Sequence, residues 1–206
     1  ILLLVGIPHA AALTFMIFLS GMVPVAGNLI AGGAGKTPVA LDLGRRLRAR
    51  GTAVHFLARG YGGRLAGPLR VDHDAHDADQ VGDEALLLAE RAPTSVARDR
   101  VAGARLLLAG EPSPTVIVMD DGLQNPGLAK DLVIAVVDGR RGLGNGLVMP
   151  AGPLRAPLAA QLGAVGAIVV NAATLEVAAD GGVPEPVAVA IRSRFPGPVM
   201  AAAPEP

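Results

Sequence analysis

The stretch GNLIAGGAGKTP, residues 27–38, decides how this chain is read. Gly35, Lys36 and Thr37 fit the end of the phosphate-loop pattern G-x-x-x-x-G-K-[ST]. The first place of that pattern falls on Ile30 instead of glycine. Gly32, Gly33 and Gly35 still let successive backbone N–H groups turn inward around a phosphate. A helix starting at Lys36 adds the positive end of its dipole. Lys36 then brings a point charge to the β- and γ-phosphates, and Thr37 offers a hydroxyl to Mg²⁺. The alternative is a strand-to-helix turn with a chance Gly-Lys-Thr. The place of the motif, between an apolar strand and a helix, favours the phosphate loop.

Working outward, MVPVAG (22–27) reads as a short buried strand before the loop. KTPVALDLGRRLRARG (36–51) reads as a helix, with Pro38 tolerated in its first turn and a basic last turn. AVHFLA (53–58), TSVA (94–97), PTVIVMDD (114–121), DLVIAVVDG (131–139) and GAIVVN (166–171) read as further strands. Helices are expected from near Asp83 and over 99–110. Residues 64–81 read as a polar loop, and from 172 the pattern weakens into Ala, Pro and Gly. Apolar strands without alternation, separated by helices, predict a parallel sheet covered on both faces. Ligands of such sheets bind at the carboxyl ends of the strands.

Composition narrows the function classes. The 206-residue chain has a formal net charge of zero, so nothing pulls it as a whole toward nucleic acid. It has no cysteine, hence no disulfide framework and no thiolate zinc site. Aromatics are 2% of residues and Tyr61 is the only tyrosine, which leaves no stacking platform for single strands. Residues 1–35 carry no Asp, Glu, Lys or Arg. Their apolar run is long enough for a helix of ~35 Å. A buried helix is one reading; with no polar face marked, a helix in or on a bilayer is preferred. The expected organisation is an apolar helix over 1–21, a core over 22–171, and the start of a second domain over 172–206. The chain opens on Ile and closes on PEP, and is expected to be part of a longer protein.

Four further motifs carry chemistry. VMDDGLQ (118–124) ends an apolar strand in Asp120 and Asp121, the arrangement that holds Mg²⁺ beside a phosphate loop. Asp83, in VGDE, is either a helix-start residue or a carboxylate that accepts the acceptor's hydroxyl proton. DGRRGLGNGLVMPAGPLR (138–155) holds Arg140, Arg141 and Arg155 on a loop suited to anions, or else a basic surface. His73 and His76 stand among four aspartates at metal-ligand spacing, but a solvated acidic loop is the better reading.

GNLIAGGAGKTP, ARGYGG, VGDE, ARDR, DDGLQ and DGRRGLGNGLVMPAGPLR, in this order, resemble the tetraacyldisaccharide 4'-kinase family of lipid A biosynthesis over roughly residues 22–171. In that family's loop, G-N-L-[ST]-x-G-G-x-G-K-T-P, a polar residue stands where the phosphate-loop pattern has its first glycine, and here Ile30 takes that place. The resemblance implies a P-loop NTPase-like α/β fold with an apolar N-terminal helix. It also implies transfer of the γ-phosphate of ATP, with Mg²⁺, to the 4'-hydroxyl of a tetraacylated disaccharide 1-phosphate, giving lipid IVA. The partners implied are that lipid A precursor and inner-membrane lipid, at the cytoplasmic face. Ile30, Ala31, Gly32, Gly33, Ala34, Gly35, Lys36 and Thr37 match the ATP loop. Asp83 matches the base, Asp120 and Asp121 the metal and catalytic pair, with Lys36 catalytic and Thr37 beside Asp120 as metal ligands. Tyr61, Arg100, Gln124 and Arg155 match positions near active site or substrate. The family's usual His after DDGLQ is Asn125 here, its Glu after GPLR is Ala156, and Ala85 stands where Pro is frequent. These departures, and the family's C-terminal histidine lying beyond this stretch, keep two alternatives open: an impaired or non-catalytic nucleotide-binding remnant, and another P-loop small-molecule kinase.

Overall fold

A computed structural model describes residues 24–28, 35–171 and 185–202. In chain order the elements are β1 (Pro24–Asn28), α1 (Lys36–Arg48), β2 (Val54–Ala58), β3 (Leu69–Arg70), α2 (Ala78–Val81), α3 (Asp83–Ala89), β4 (Thr94–Val96), α4 (Arg100–Leu108), β5 (Val116–Asp120), β6 (Leu132–Asp138), α5 (Leu158–Leu162), β7 (Ala167–Asn171), α6 (Glu185–Arg192) and β8 (Val199–Ala202). The apolar helix expected over 1–21 lies outside the described residues. Among the described residues, no helix is long and apolar enough to cross a membrane.

These residues form two compact units. One comprises 24–26 and 37–131; the other comprises 27–28, 35–36, 132–171 and 185–202. In the first, the strand order is β3-β4-β2-β5-β1. Pairings β4–β2, β2–β5 and β5–β1 are parallel, as expected from the uninterrupted apolar strands. Every residue of β2, β4 and β5 is buried, so this sheet is covered on both faces. On one face Leu57, Ile117 and Met119 pack with Ala97, Ala104 and Leu107 around α4. On α1, Gly44 approaches so closely that a Cβ would stand 2.4 Å from Phe56 Cζ. In the second unit β6, β7 and β8 run parallel in the order β6-β7-β8, with β6 buried from Leu132 to Val137.

Two stretches differ from expectation. Residues 64–81 hold β3 and α2. β3 pairs antiparallel with β4, where Ser95 Oγ donates to Leu69 O at 2.9 Å. α2 is set by a capping box: Asp77 Oδ1 accepts from Gln80 N at 2.9 Å, and Gln80 Oε1 accepts from Asp77 N at 3.0 Å. Beyond 172 the chain forms α6 and β8, extending the ordered architecture past the point where the sequence pattern fades.

Candidate active site

The first unit brings two motif residues together at the carboxyl end of β5. Thr37, in the first turn of α1, donates from Oγ1 to Asp120 Oδ2 at 2.8 Å. Both are buried, Thr37 at 6% exposure and Asp120 at 2%. The register β1–β5 sets Ala26 beside Asp120. A hydroxyl and a carboxylate are hard oxygen donors of the kind Mg²⁺ takes. Among the described residues no group of three or more His, Cys, Asp or Glu suits a metal; the two oxygens of this pair would serve an ion that completes its coordination with other donors. Lys36 opens α1. Ile30, Ala31, Gly32, Gly33 and Ala34 lie outside the described residues.

Asp121 follows directly, with φ of +52°, the one non-glycine residue with positive φ among those described. Aspartate is among the side chains that enter this region most readily. The turn redirects the chain as soon as β5 ends, so the two adjacent carboxylates leave the strand on different backbone geometry. Arg100 stands near this pair. It is 3% exposed, its Nη1 donates to Ala97 O, and Nε has no hydrogen-bond partner among the described residues. Burial, then the Arg59 guanidinium, hold Arg100 below its ordinary range, while Asp121 and Asp120 oppose them. An arginine remains cationic under such a shift. Its charge therefore stands as a fixed counterweight to the two carboxylates.

The loops after β2 and β4 frame an open cavity of about 390 Å³, lined by Arg59, Gly60, Tyr61, Gly62, Gly63 and Arg98. Tyr61 is 81% exposed there. Asp83 is tied to this loop through its neighbour. Gly82 has φ of +89°, and a Cβ on it would lie 2.3 Å from Tyr61 O. The backbone of 82 thus rests on the cavity loop, and α3 begins at the next residue. Gly82 is the N-cap and no side chain caps α3. Asp83 is exposed in the first turn, where the helix dipole favours a carboxylate. It is thus a first-turn residue, as the structural alternative allows, and not the N-cap itself.

Gln124 is exposed, and Asn125 is engaged in its own turn. Asn125 Oδ1 accepts from Gly127 N at 2.9 Å, and its carbonyl accepts from Lys130 Nζ. Burial lowers the pKa of Lys130. Asn125 thus organises the 122–130 turn through groups that any residue with a short acceptor supplies. The His73–His76 stretch is likewise local structure: His76 Nδ1 lies 3.0 Å from Asp72 N, and His73 Nε2 lies 3.0 Å from Leu86 O.

The second unit carries Arg140, Arg141 and Arg155. Asp138 Oδ1 accepts from the backbone N–H groups of Arg140 at 2.8 Å and Arg141 at 3.2 Å, which turns the chain off the end of β6. Further along, Met149 N donates to Leu154 O and Leu154 N to Leu147 O, both at 3.0 Å. Leu154 is fully buried and holds the half-buried Arg155 in place. Ala156 presents its carbonyl to Gln161 Nε2 at 2.8 Å. Sequence reasoning missed Asn171, the last residue of β7, whose side chain lies against Gly35.

A family model described as tetraacyldisaccharide-1-P 4'-kinase, LpxK, matches residues 16–193. The tetraacyldisaccharide 4'-kinase of Rhodospirillum centenum is 63% identical over 139 residues, covering 66% of this chain and 41% of that protein. That of Methylobacterium nodulans is 56% identical over 171 residues, covering 82% of this chain and 48% of that protein. The chain thus spans less than half the length of these curated relatives. Among solved structures, LpxK from Aquifex aeolicus in complex with ATP superposes with a TM-score of 0.66 at 22% identity, over 94% of this chain and 76% of that one. That likeness establishes the fold.

Proposed function

The chain belongs to the tetraacyldisaccharide-1-P 4'-kinase family, and we propose that the protein transfers the γ-phosphoryl group of ATP to the 4'-hydroxyl of a tetraacyldisaccharide 1-phosphate. The observation that carries this reading is the buried bond from Thr37 to Asp120, which joins the end of the phosphate-loop motif to the carboxylate that closes β5. Residues 30–37 would bind the phosphates of ATP, with Lys36 countering charge on the β- and γ-groups. Mg²⁺, held by Thr37 and Asp120, would neutralise charge developing on the transferred phosphoryl group. Asp83 accepts the proton of the 4'-hydroxyl as its oxygen bonds to phosphorus and the bond to the β,γ-bridging oxygen breaks, releasing ADP. Asp121 and the buried Arg100 set the field around that displacement.

The Arg59–Gly63 cavity, beside the start of α3, supports an acceptor site for an anionic disaccharide, with Tyr61 and Gln124 as contacts; Arg155 is a further substrate contact on the strength of the family's motif alone. The acceptor is a lipid, so the protein works at the cytoplasmic face of the inner membrane, with 1–21 as anchor. Residues 22–171 act as catalytic core, and β8 continues its sheet beyond β7. The test is phosphotransfer from radiolabelled ATP to tetraacyldisaccharide 1-phosphate by the full-length protein in mixed micelles. Labelled lipid product is expected from the wild type and none from Lys36→Ala. Unchanged turnover and ATP affinity in that variant would sink the assignment.

A further inference from the structure

Gly35 precedes the motif lysine, and its φ is +100°. A Cβ on it would stand 2.3 Å from Asn171 Nδ2, 3.0 Å from Cγ and 3.3 Å from Cβ. The carboxamide of Asn171 therefore occupies the space beside Gly35 that any side chain would need. Two independent constraints, backbone angle and steric room, thus require glycine at 35. Asn171 is the last residue of β7, in register with Asp138 at the end of β6. Its main-chain carbonyl accepts from Gly139 N at 2.9 Å. Asp138 in turn caps the start of the arginine loop through Arg140 N and Arg141 N. One residue therefore lies with its side chain against Gly35 of the phosphate-loop motif and is bonded by its backbone to the root of the arginine loop.

We propose that Asn171 is a positioning residue for the nucleotide loop, its carboxamide holding Gly35 in the conformation that receives ATP. This rests on the nucleotide reading of residues 30–37. The physical reason is preorganisation. A loop with glycine at 32, 33 and 35 loses more conformational entropy on ordering than one with side chains at those positions. A rigid strand end that fixes the last glycine removes part of that cost before nucleotide arrives, and the gain appears as affinity. The chemical step itself does not involve Asn171.

The experiment compares wild type, Asn171→Ala, Asn171→Asp and Lys36→Ala in the full-length protein. It reads the Kd of a fluorescent ATP analogue, the KM for ATP, kcat, and melting with and without Mg-ATP. Asn171→Ala empties the space beside Gly35 and is expected to raise Kd and KM about 2- to 10-fold as the loop loses preorganisation, with kcat within about two-fold. Melting without nucleotide stays near wild type, while the rise on adding Mg-ATP shrinks. Asn171→Asp keeps the shape but sets a negative charge beside a phosphate loop, so its loss exceeds that of Ala and lessens as salt is added. A lower kcat at unchanged KM, or a lower melting point with unchanged affinity, marks a merely structural residue and overturns the inference. If Asn171→Ala does not fold, Asn171→Asp with wild-type affinity overturns it equally. Loss of binding in Lys36→Ala with wild-type affinity in both Asn171 variants overturns this inference alone; wild-type affinity in all three variants overturns the nucleotide reading as well.

Discussion

Thr37 and Asp120 are separated by 83 positions, and a single buried bond joins them: Thr37 Oγ1 donates to Asp120 Oδ2 at 2.8 Å. In Asp120→Asn the amide oxygen can still accept from Thr37, so the fold keeps its bond and only the charge is lost. The expected outcome is a protein with nearly unchanged melting and a kcat lower by about 10²-fold or more, the scale on which losing one electrostatic stabiliser acts. The Mg²⁺ concentration for half-maximal activity moves upward. A magnesium titration of phosphotransfer in the full-length protein reads this, and an unshifted midpoint removes Asp120 from the metal site.

Asp83 separates the base reading from the structural one more cleanly than its sequence position suggests. An N-cap role is excluded by Gly82 holding that place and by the absence of a side-chain cap on α3. The structural worth of Asp83 is then its charge near the helix dipole, ~0.3–1 kcal/mol. Asp83→Asn is expected to lower kcat by about 10²–10⁴-fold, the usual contribution of a single base. The Kd for ATP stays within a few-fold, because a base touches the acceptor and not the nucleotide. Near-wild-type turnover in this variant, measured by phosphotransfer, would rule the base out.

What the sequence disclosed and what it hid divide along physical lines. β5 and β6 are continuous apolar runs ended by carboxylates, so burial on both faces is written into each run locally. β3 is two residues long and exists because Leu69 and Arg70 pair with Val96 and Ser95, a tertiary event with no local apolar signal. α2 carries its capping box, Asp77 and Gln80, inside an acidic stretch whose charge masks it. α6 and β8 are built from Ala, Val, Ile and Met between prolines, a composition without contrast between helix and strand. In the site, glycine, lysine, threonine and paired aspartates announce phosphate chemistry by type and order. The burial of Arg100 and the contact of Asn171 with Gly35 depend on what the fold brings alongside, and no spacing encodes them.

Gly103 tests the packing of α4 on the sheet. A Cβ at this position would lie 2.6 Å from Leu57 Cδ1 and 2.7 Å from Ala97 Cβ. Alanine would gain up to ~1 kcal/mol in helix propensity. Overpacking costs ~1–3 kcal/mol, and Ala97 has no side-chain torsion with which to yield. Gly103→Ala is therefore expected to destabilise by about 1 kcal/mol net, lowering the melting temperature by a few degrees. A variant that melts at or above the wild type would show that the helix shifts freely on the sheet.

His55 gives the fold a predictable acid limb. It lies in β2 at 2% exposure, opposite Ile117 of β5, and its Nδ1 has no hydrogen-bond partner among the described residues. Burial first, and the Arg70 guanidinium second, lower its pKa below the ordinary 6.5. The unfolded chain thus takes up a proton near 6.5, whereas the folded chain does so only at lower pH. Within that window the unfolded state binds more protons, so stability rises with pH and is lost as pH falls below the ordinary value. His55→Leu removes the titration and an unsatisfied buried nitrogen together. It is expected to stabilise the protein by about 1 kcal/mol at neutral pH, from the lower part of the range for an unpaired buried group. Urea midpoints at about pH 7.5 and about pH 5 should then show a smaller acid loss in the variant than in the wild type, since the remaining carboxylates act equally on both. Parallel losses in the two proteins would mean that His55 titrates in the fold as it does in the open chain.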